Sequence, residues 1–150
     1  MPKPPEPLLP PGLHDASLED IRQECVEQFG NGGEDNPEVR RYIMNRFEQY
    51  LSELASLNLE LEIWINGSFV TEKPVPEDVD IVIFGDAAEL QAEEEKRKLR
   101  RLIQDHPKQR YKTDAYWAQE GDSKLRDYWT RMFGTDRQGH PKGLYRLTLN

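Results

Sequence analysis

The segment Asp78–Phe84 (DVDIVIF) constrains the fold most, because it places two aspartates at the start of an apolar, strand-like run. Side chains alternate along a strand, so Asp78 and Asp80 share one face. Aspartate is disfavoured in strands, and two like charges this close repel each other. We therefore expect a compensating group outside the strand, and a divalent cation bound by carboxylate oxygens is the first candidate. The alternative is a pair of solvent-facing aspartates at the start of a strand.

A second strand precedes this one. Apolar side chains alternate with Glu60, Glu62 and Trp64 in the segment LELEIWI, which predicts a half-buried strand that ends at Gly67-Ser68. A glycine at a strand end lets backbone amides approach an anion closely, and the serine adds a hydroxyl donor. We expect Gly67 and Ser68 to hold a phosphate that shares a metal ion with the two aspartates. The plain alternative for Ser68 is a turn residue.

The rest of the chain is predicted to contain further helices and strands. Together the elements predict an α+β fold in which a small mixed sheet packs against helices. A capping box begins a helix at Ser17, and Asn36-Pro37 begins the next. We expect a single domain over 1–150. Its parts are an extended proline-rich arm (1–12), a helical N-terminal part (13–58), a sheet core (59–119) and a C-terminal helix and strand (120–150). The expected later elements are a helix over Ala87–Ile103, a strand over Gln109–Gln119, a helix over Asp122–Phe133, a turn-rich loop over Gly134–Lys142 and a strand over Gly143–Leu149.

Composition limits the classes of function. Cys25 is the single cysteine, so neither an internal disulfide nor a cysteine-based zinc site is expected. No apolar run approaches the ~18 residues of a membrane span, so we expect no membrane partner and a cytoplasmic location. The net charge of −8 disfavours nonspecific nucleic-acid binding. All of that net charge falls in residues 1–66, whereas residues 96–112 are strongly basic and could meet a phosphate-bearing ligand or simply form a solvated face.

The order Gly67-Ser68, nine residues, then Asp78-Val79-Asp80 resembles the signature of the nucleotidyltransferase superfamily, which has the fold of DNA polymerase beta. The segments LPPGLHDASLEDI, GSFVTEKPVPEDVDIVIF and FGTDRQGHPKGLYRL resemble small bacterial nucleotidyltransferase-like proteins related to the minimal nucleotidyltransferases of toxin–antitoxin and abortive-infection systems. The resemblance implies a nucleotidyltransferase fold. It also implies a third carboxylate in a later strand, and Asp114 matches that position. The alternative for Asp114 is a strand carboxylate that faces solvent or pairs with Lys112.

The resemblance implies a magnesium-dependent enzyme that moves a nucleoside monophosphate from a nucleoside triphosphate to a hydroxyl of RNA or protein. Asp78, Asp80 and Asp114 would be both catalytic residues and ligands of Mg²⁺, or of Mn²⁺ in its place. A toxin-like protein partner and a homodimer are further expectations. The alternative is an inactive binding module of the same fold, acting as an antitoxin-like partner or a nucleotide sensor. A general metal-dependent phosphohydrolase is a weaker third possibility.

The segment predicted to bind the nucleotide matches the superfamily pattern less well than the carboxylates do. Minimal nucleotidyltransferases often carry Arg-Gly after Gly-Ser, whereas this chain continues as FVTEKP, with Lys73 as its nearest cation. Arg137 and Lys142 lie on a glycine-bounded segment and could clamp a phosphate or an acceptor, or that segment is only a polar connector. The predicted nucleotide-binding residues are Gly67, Ser68, Lys73, Arg137 and Lys142.

Overall fold

The protein is represented by a computed structural model that describes residues 6–29, 37–73 and 75–150. Ten helices and strands position the site, joined by shorter 3₁₀ turns. Their bounds are β1 Gly12–Asp15, α1 Leu18–Cys25, α2 Pro37–Ala55, β2 Leu61–Asn66, β3 Val79–Gly85, α3 Glu93–Gln104, α4 Pro107–Tyr111, β4 Thr113–Gln119, α5 Ser123–Phe133 and β5 Gly143–Leu149.

The five strands form one mixed sheet in the order β1-β5-β2-β3-β4. β1 runs parallel to β5, and β3 runs parallel to β4, whereas β2 is antiparallel to both of its neighbours. The last strand of the chain therefore lies between the first two. A mixed five-stranded sheet with helices agrees with the predicted α+β class.

One face of the sheet carries most of the hydrophobic core. Val79, Ile81 and Ile83 of β3 point to this face and are fully buried. Helices α1, α2 and α3 cover it. Their buried contributions are Ile21, Cys25, Ile43, Met44, Phe47, Tyr50, Leu51, Leu54, Leu99 and Leu102. We call this the helix-covered face.

The opposite face is covered by α5 over part of its area. Its buried cluster contains Trp64, Val82, Phe84, Ala118, Phe133 and Leu144, with Leu125 and Trp129 of α5 packed against it. We call this the α5 face. The predicted strand is confirmed as β2, but it is not half-buried, because Trp64 is only 3% exposed within this cluster.

Local signals gave several helix starts correctly. The Ser17 side chain accepts from the Asp20 amide, and the Asp20 carboxylate accepts from the Ser17 amide, so the predicted capping box is confirmed. Pro37 begins α2, while Asn36, the predicted cap, lies outside the described residues. Asp122 caps α5 by accepting from the amides of Lys124 and Leu125.

Two element predictions need correction. The helix expected over Ala87–Ile103 is a 3₁₀ turn over Ala87–Glu89 followed by α3 from Glu93. The strand expected from Gln109 begins only at Thr113, because Pro107 starts the short helix α4, which ends where Lys112 adopts φ +53°. The β4 register with β3 therefore starts after that left-handed residue.

More of the N-terminal region pairs with other strands than the sequence predicted. Part of the proline-rich arm is extended, since Pro7 bridges Thr71 and the Leu8 amide donates to the Val70 carbonyl at 3.1 Å. The part predicted as helical (13–58) opens instead within strand β1, which pairs with β5. No helix among the described residues is long and apolar enough to cross a membrane.

Candidate acidic site

Three aspartates lie together at one end of β3 and β4, on the α5 face. The sheet register pairs Asp80 of β3 with Asp114 of β4 and with Asn66 of β2. In-register residues of neighbouring strands point to the same side, and Asp78 lies two residues before Asp80, so the three carboxylates share one face. The predicted triad is therefore brought together by the topology.

The electrostatics of the triad are unfavourable as it stands. Burial, and then the nearby carboxylates of Asp78 and Asp114, raise the pKa of Asp80 to about 6. Lys108 and Lys142 oppose that shift. Desolvation and like charge both disfavour the ionised form. A group that concentrates positive charge here would relieve this cost.

Gly67 ends the strand beside Asp80 and packs directly against it. A Cβ at this position would lie 2.6 Å from Oδ2 of Asp80, and Gly67 has φ +95°, a region that residues with side chains rarely adopt. Ser68 then opens a 3₁₀ turn over Ser68–Val70. The glycine is thus required by both conformation and close approach.

The turn after Gly67-Ser68 is held by Arg40, a fully buried residue of α2. Its guanidinium donates to the carbonyls of Phe69, Thr71 and Lys73 at 2.7–2.8 Å. The carbon of the guanidinium also lies 3.7 Å from the centroid of the Phe29 ring. Sequence reasoning missed Arg40, because nothing local distinguishes it from the exposed arginines of a charged helix.

Lys108 of α4 was also missed, although it lies closest to the triad. Its Nζ is 3.2 Å from Oδ2 of Asp78. The lysine side chain is 57% exposed and the aspartate side chain only 10% exposed, so the ammonium reaches in from solvent to a largely buried carboxylate. Lysines of short helices give no sequence signal for such a contact.

The other predicted cations divide into two groups. Lys142 lies near Asp80, and burial lowers its pKa while the charges of Asp80 and Asp136 oppose that shift. Within the described part of the chain, the side chains of Lys73 and Arg137 form no ion pair or hydrogen bond with the three aspartates. The structure thus brings Lys142 near the triad, whereas the nucleotide-binding roles of Lys73 and Arg137 stay predictions.

The donor set suits a hard divalent cation in kind, because it consists of carboxylate oxygens on one sheet face. Over residues 6–29, 37–73 and 75–150, however, no three acidic, histidine or cysteine side chains converge closely enough to hold a metal ion as they stand. The Asp78 carboxylate faces Lys108 instead. A cation bound here would compete with the Lys108 ammonium for the Asp78 carboxylate.

These features define a mixed α/β protein with an acidic site beside a glycine-ended strand, at the partly covered face of its sheet. The chain belongs to a family of unknown function, DUF6932, whose model matches residues 1–148. A search of the curated proteins found no match, and a search of the solved structures found none.

Proposed function

We propose that the protein is a magnesium-dependent nucleotidyltransferase that moves a nucleoside monophosphate from a nucleoside triphosphate to a hydroxyl of RNA or protein, and that its sheet is a nucleotidyltransferase fold. One observation carries the proposal. Asp80 and Asp114 are in register on parallel neighbouring strands, with Asp78 on the same face and Gly67 packed against Asp80. This arrangement brings into one place the residues that the sequence motif singled out.

The roles of the residues follow from their positions. Asp78, Asp80 and Asp114 would hold Mg²⁺ or Mn²⁺, which when bound neutralises phosphate charge and orients the reacting groups. Asp114, on β4 at the edge of the sheet, would accept the proton of the acceptor hydroxyl. The hydroxyl oxygen then forms a bond to the α-phosphorus as the bond to pyrophosphate breaks. Positioning and charge stabilisation supply most of the rate.

Phosphate binding would use the glycine-ended strand and the nearest cation. The absence of a Cβ at Gly67 leaves its backbone open to close approach. Lys142 is half-buried within reach of Asp80's charge, so its ammonium is the better candidate for a phosphate partner than Lys73 or Arg137.

A second candidate function is a binding module of the same fold that does not transfer nucleotides, either an antitoxin-like partner of a toxin-like protein or a nucleotide sensor. The Lys108–Asp78 ion pair favours it, because that pair already offsets part of the triad's negative charge. In such a module the carboxylates would remain paired within the protein.

Calorimetric titration separates the two candidates. Each of the four nucleoside triphosphates is titrated into the wild type and Asp80→Asn, with Mg²⁺ and with EDTA. Asp127→Asn is the matched control, since Asp127 is an exposed aspartate on α5. The enzyme proposal expects binding that needs Mg²⁺, is lost in Asp80→Asn and is kept in Asp127→Asn.

Transfer is then tested with a radiolabelled triphosphate that binds, offered RNA and candidate protein acceptors. Label on an acceptor that depends on Asp114 supports the enzyme. Binding of a triphosphate without any transfer, unchanged by EDTA, supports the module and contradicts the enzyme. Failure of all four triphosphates to bind folded wild type contradicts both the enzyme and the nucleotide sensor.

A further inference from the structure

Three aromatic rings contact one another beside the acidic site, with the Tyr116 ring tilted by 42° and the Tyr128 ring nearly perpendicular to Trp129. The centroid of the Trp129 ring on α5 lies 5.0 Å from that of Tyr116 on β4 and 5.0 Å from that of Tyr128. Tyr116 is 42% exposed and Tyr128 is 43% exposed. On its inner side, Trp129 contacts the buried ring of Phe133 at 5.1 Å, which anchors the surface to the core of the α5 face. We call Tyr116, Tyr128 and Trp129 the aromatic shelf.

The shelf is joined to the triad by a hydrogen bond. The Tyr116 hydroxyl donates to Oδ2 of Asp114 at 3.2 Å. Tyr116 lies two residues after Asp114 in β4, and the register places it beside Val82, which is two residues after Asp80 in β3. The exposed Tyr116 ring therefore lies next to the Asp114 carboxylate.

Exposure of this much aromatic surface calls for an explanation. Among the described residues, six large hydrophobic side chains are exposed, and Tyr116, Tyr128 and Met132 of this region are three of them. Exposed apolar surface that gathers in one place marks a binding site more often than isolated residues do. Packing of Tyr116 and Tyr128 on one tryptophan also limits their freedom, so little entropy is lost when a flat ligand stacks there.

We propose that the aromatic shelf binds a nucleobase by stacking. This inference rests on the proposed function, which assigns nucleotide chemistry to the triad. Bases have flat faces that stack on tyrosine and tryptophan irrespective of sequence. Because Tyr116 lies within hydrogen-bond distance of Asp114, a base stacked on its ring places the attached sugar and phosphates near the carboxylates. The base belongs either to the donor triphosphate or to the terminal, unpaired nucleotide of an RNA acceptor, and the test distinguishes these sources.

The test measures dissociation constants by calorimetry for three probes in Mg²⁺ buffer: ATP, inorganic tripolyphosphate and a single-stranded adenosine RNA hexamer. Each is titrated into the wild type, Tyr116→Ala, Tyr116→Phe and Tyr128→Ala. Leu13→Ala is the matched control, because Leu13 is a similarly exposed apolar residue on β1, at the opposite edge of the sheet from β4. Circular dichroism and thermal unfolding check that every variant is folded, and Tyr128→Ala keeps the test valid if Tyr116→Ala does not fold.

Loss of stacking predicts a weakening of about 5- to 100-fold for a probe that carries a base. Tyr116→Ala weakens the binding of ATP if the base belongs to the donor triphosphate. It weakens the binding of the hexamer if the base belongs to the RNA acceptor. Tyr116→Phe and Leu13→Ala keep near wild-type affinity, and tripolyphosphate affinity is the same in every variant. Tryptophan fluorescence gives a second readout, since a base on the shelf quenches Trp129 and that change is lost in Trp129→Phe.

The outcomes separate the shelf from the proposed function. If ATP and tripolyphosphate bind the wild type, and no alanine variant weakens the binding of ATP or the hexamer, the aromatic shelf does not bind a base while the proposed function stands. If neither ATP nor tripolyphosphate binds, but the hexamer binds and is weakened in Tyr116→Ala, the proposed function is wrong while the shelf stands. If no probe binds the wild type, both are overturned.

Discussion

The two faces of the sheet differ sharply along a single strand. On the helix-covered face, β3 presents Val79, Ile81 and Ile83, all fully buried under three helices. On the α5 face, the same strand presents Asp80 before Val82 and Phe84. α5 covers the last two residues, and the end of the strand that carries Asp80 lies beside the other two carboxylates.

This contrast separates stability from ligand binding within one element. The helix-covered face stabilises the fold by burial of apolar side chains. The acidic end of the α5 face lowers stability, because Asp80 is desolvated next to like charge. Sites that cost stability in this way are frequently functional sites. Neighbouring residues of β3 should therefore affect stability with opposite sign.

The largest effect is expected at Ile81→Ala, on the helix-covered face. The residue is fully buried, so truncation leaves a cavity and lowers the free energy of unfolding by about 2–5 kcal/mol. Chemical denaturation monitored by circular dichroism measures it. A loss under about 1 kcal/mol would mean that this face is not packed as described.

Asp80→Asn is expected to act in the opposite direction and to depend on pH. The folded pKa of Asp80 is raised from 3.8 to about 6, so the ionised carboxylate destabilises the folded state, and stability falls as pH rises between these values. Asparagine cannot ionise. In metal-free buffer above pH 6 the variant gains about 1–3 kcal/mol, and below about pH 4 the gain disappears.

Asp127→Asn serves as the control for that experiment and should change stability little at either pH. A destabilised Asp80→Asn at pH 7 would contradict the unfavourable electrostatics assigned to the triad. Denaturant unfolding of both variants between pH 4 and pH 8 provides the measurement.

A smaller effect is expected for Lys108→Met, which removes the ion pair to Asp78. Because the lysine side chain is 57% exposed, the pair contributes about 0–1 kcal/mol, and high salt reduces the difference from wild type. Thermal unfolding at low and high ionic strength measures it. A loss several times larger, independent of salt, would place Lys108 among the structural residues rather than at an accessible site.

Local patterns predicted much of this fold. The final strand was predicted over Gly143–Leu149 and has those bounds, because its alternating apolar residues face a buried surface. The capping box at Ser17 and the helix start at Pro37 are also local signals. By contrast, β1 was missed because its four residues are polar or exposed and are specified by pairing with β5, far along the chain.

The candidate site divides in the same way. The three aspartates and Gly67 were found because strand alternation and the motif place them in sequence, and the register then brings Asp80 beside Asp114. Lys108 was missed because its contact with Asp78 depends on where α4 packs. Lys73 was chosen for its closeness in sequence to Gly67-Ser68, yet its backbone, rather than its ammonium, is what Arg40 fixes.

The central claim is that the triad is a divalent-cation site whose negative charge lowers stability. The most direct test is thermal unfolding of wild type and Asp80→Asn at pH 7.5 over a Mg²⁺ titration. Ligands that bind only the folded state raise its melting temperature. We predict that wild type starts lower than Asp80→Asn and rises with Mg²⁺, while the variant does not respond. Equal responses of the two proteins, or a wild type that starts higher and is unaffected by Mg²⁺, would contradict the account.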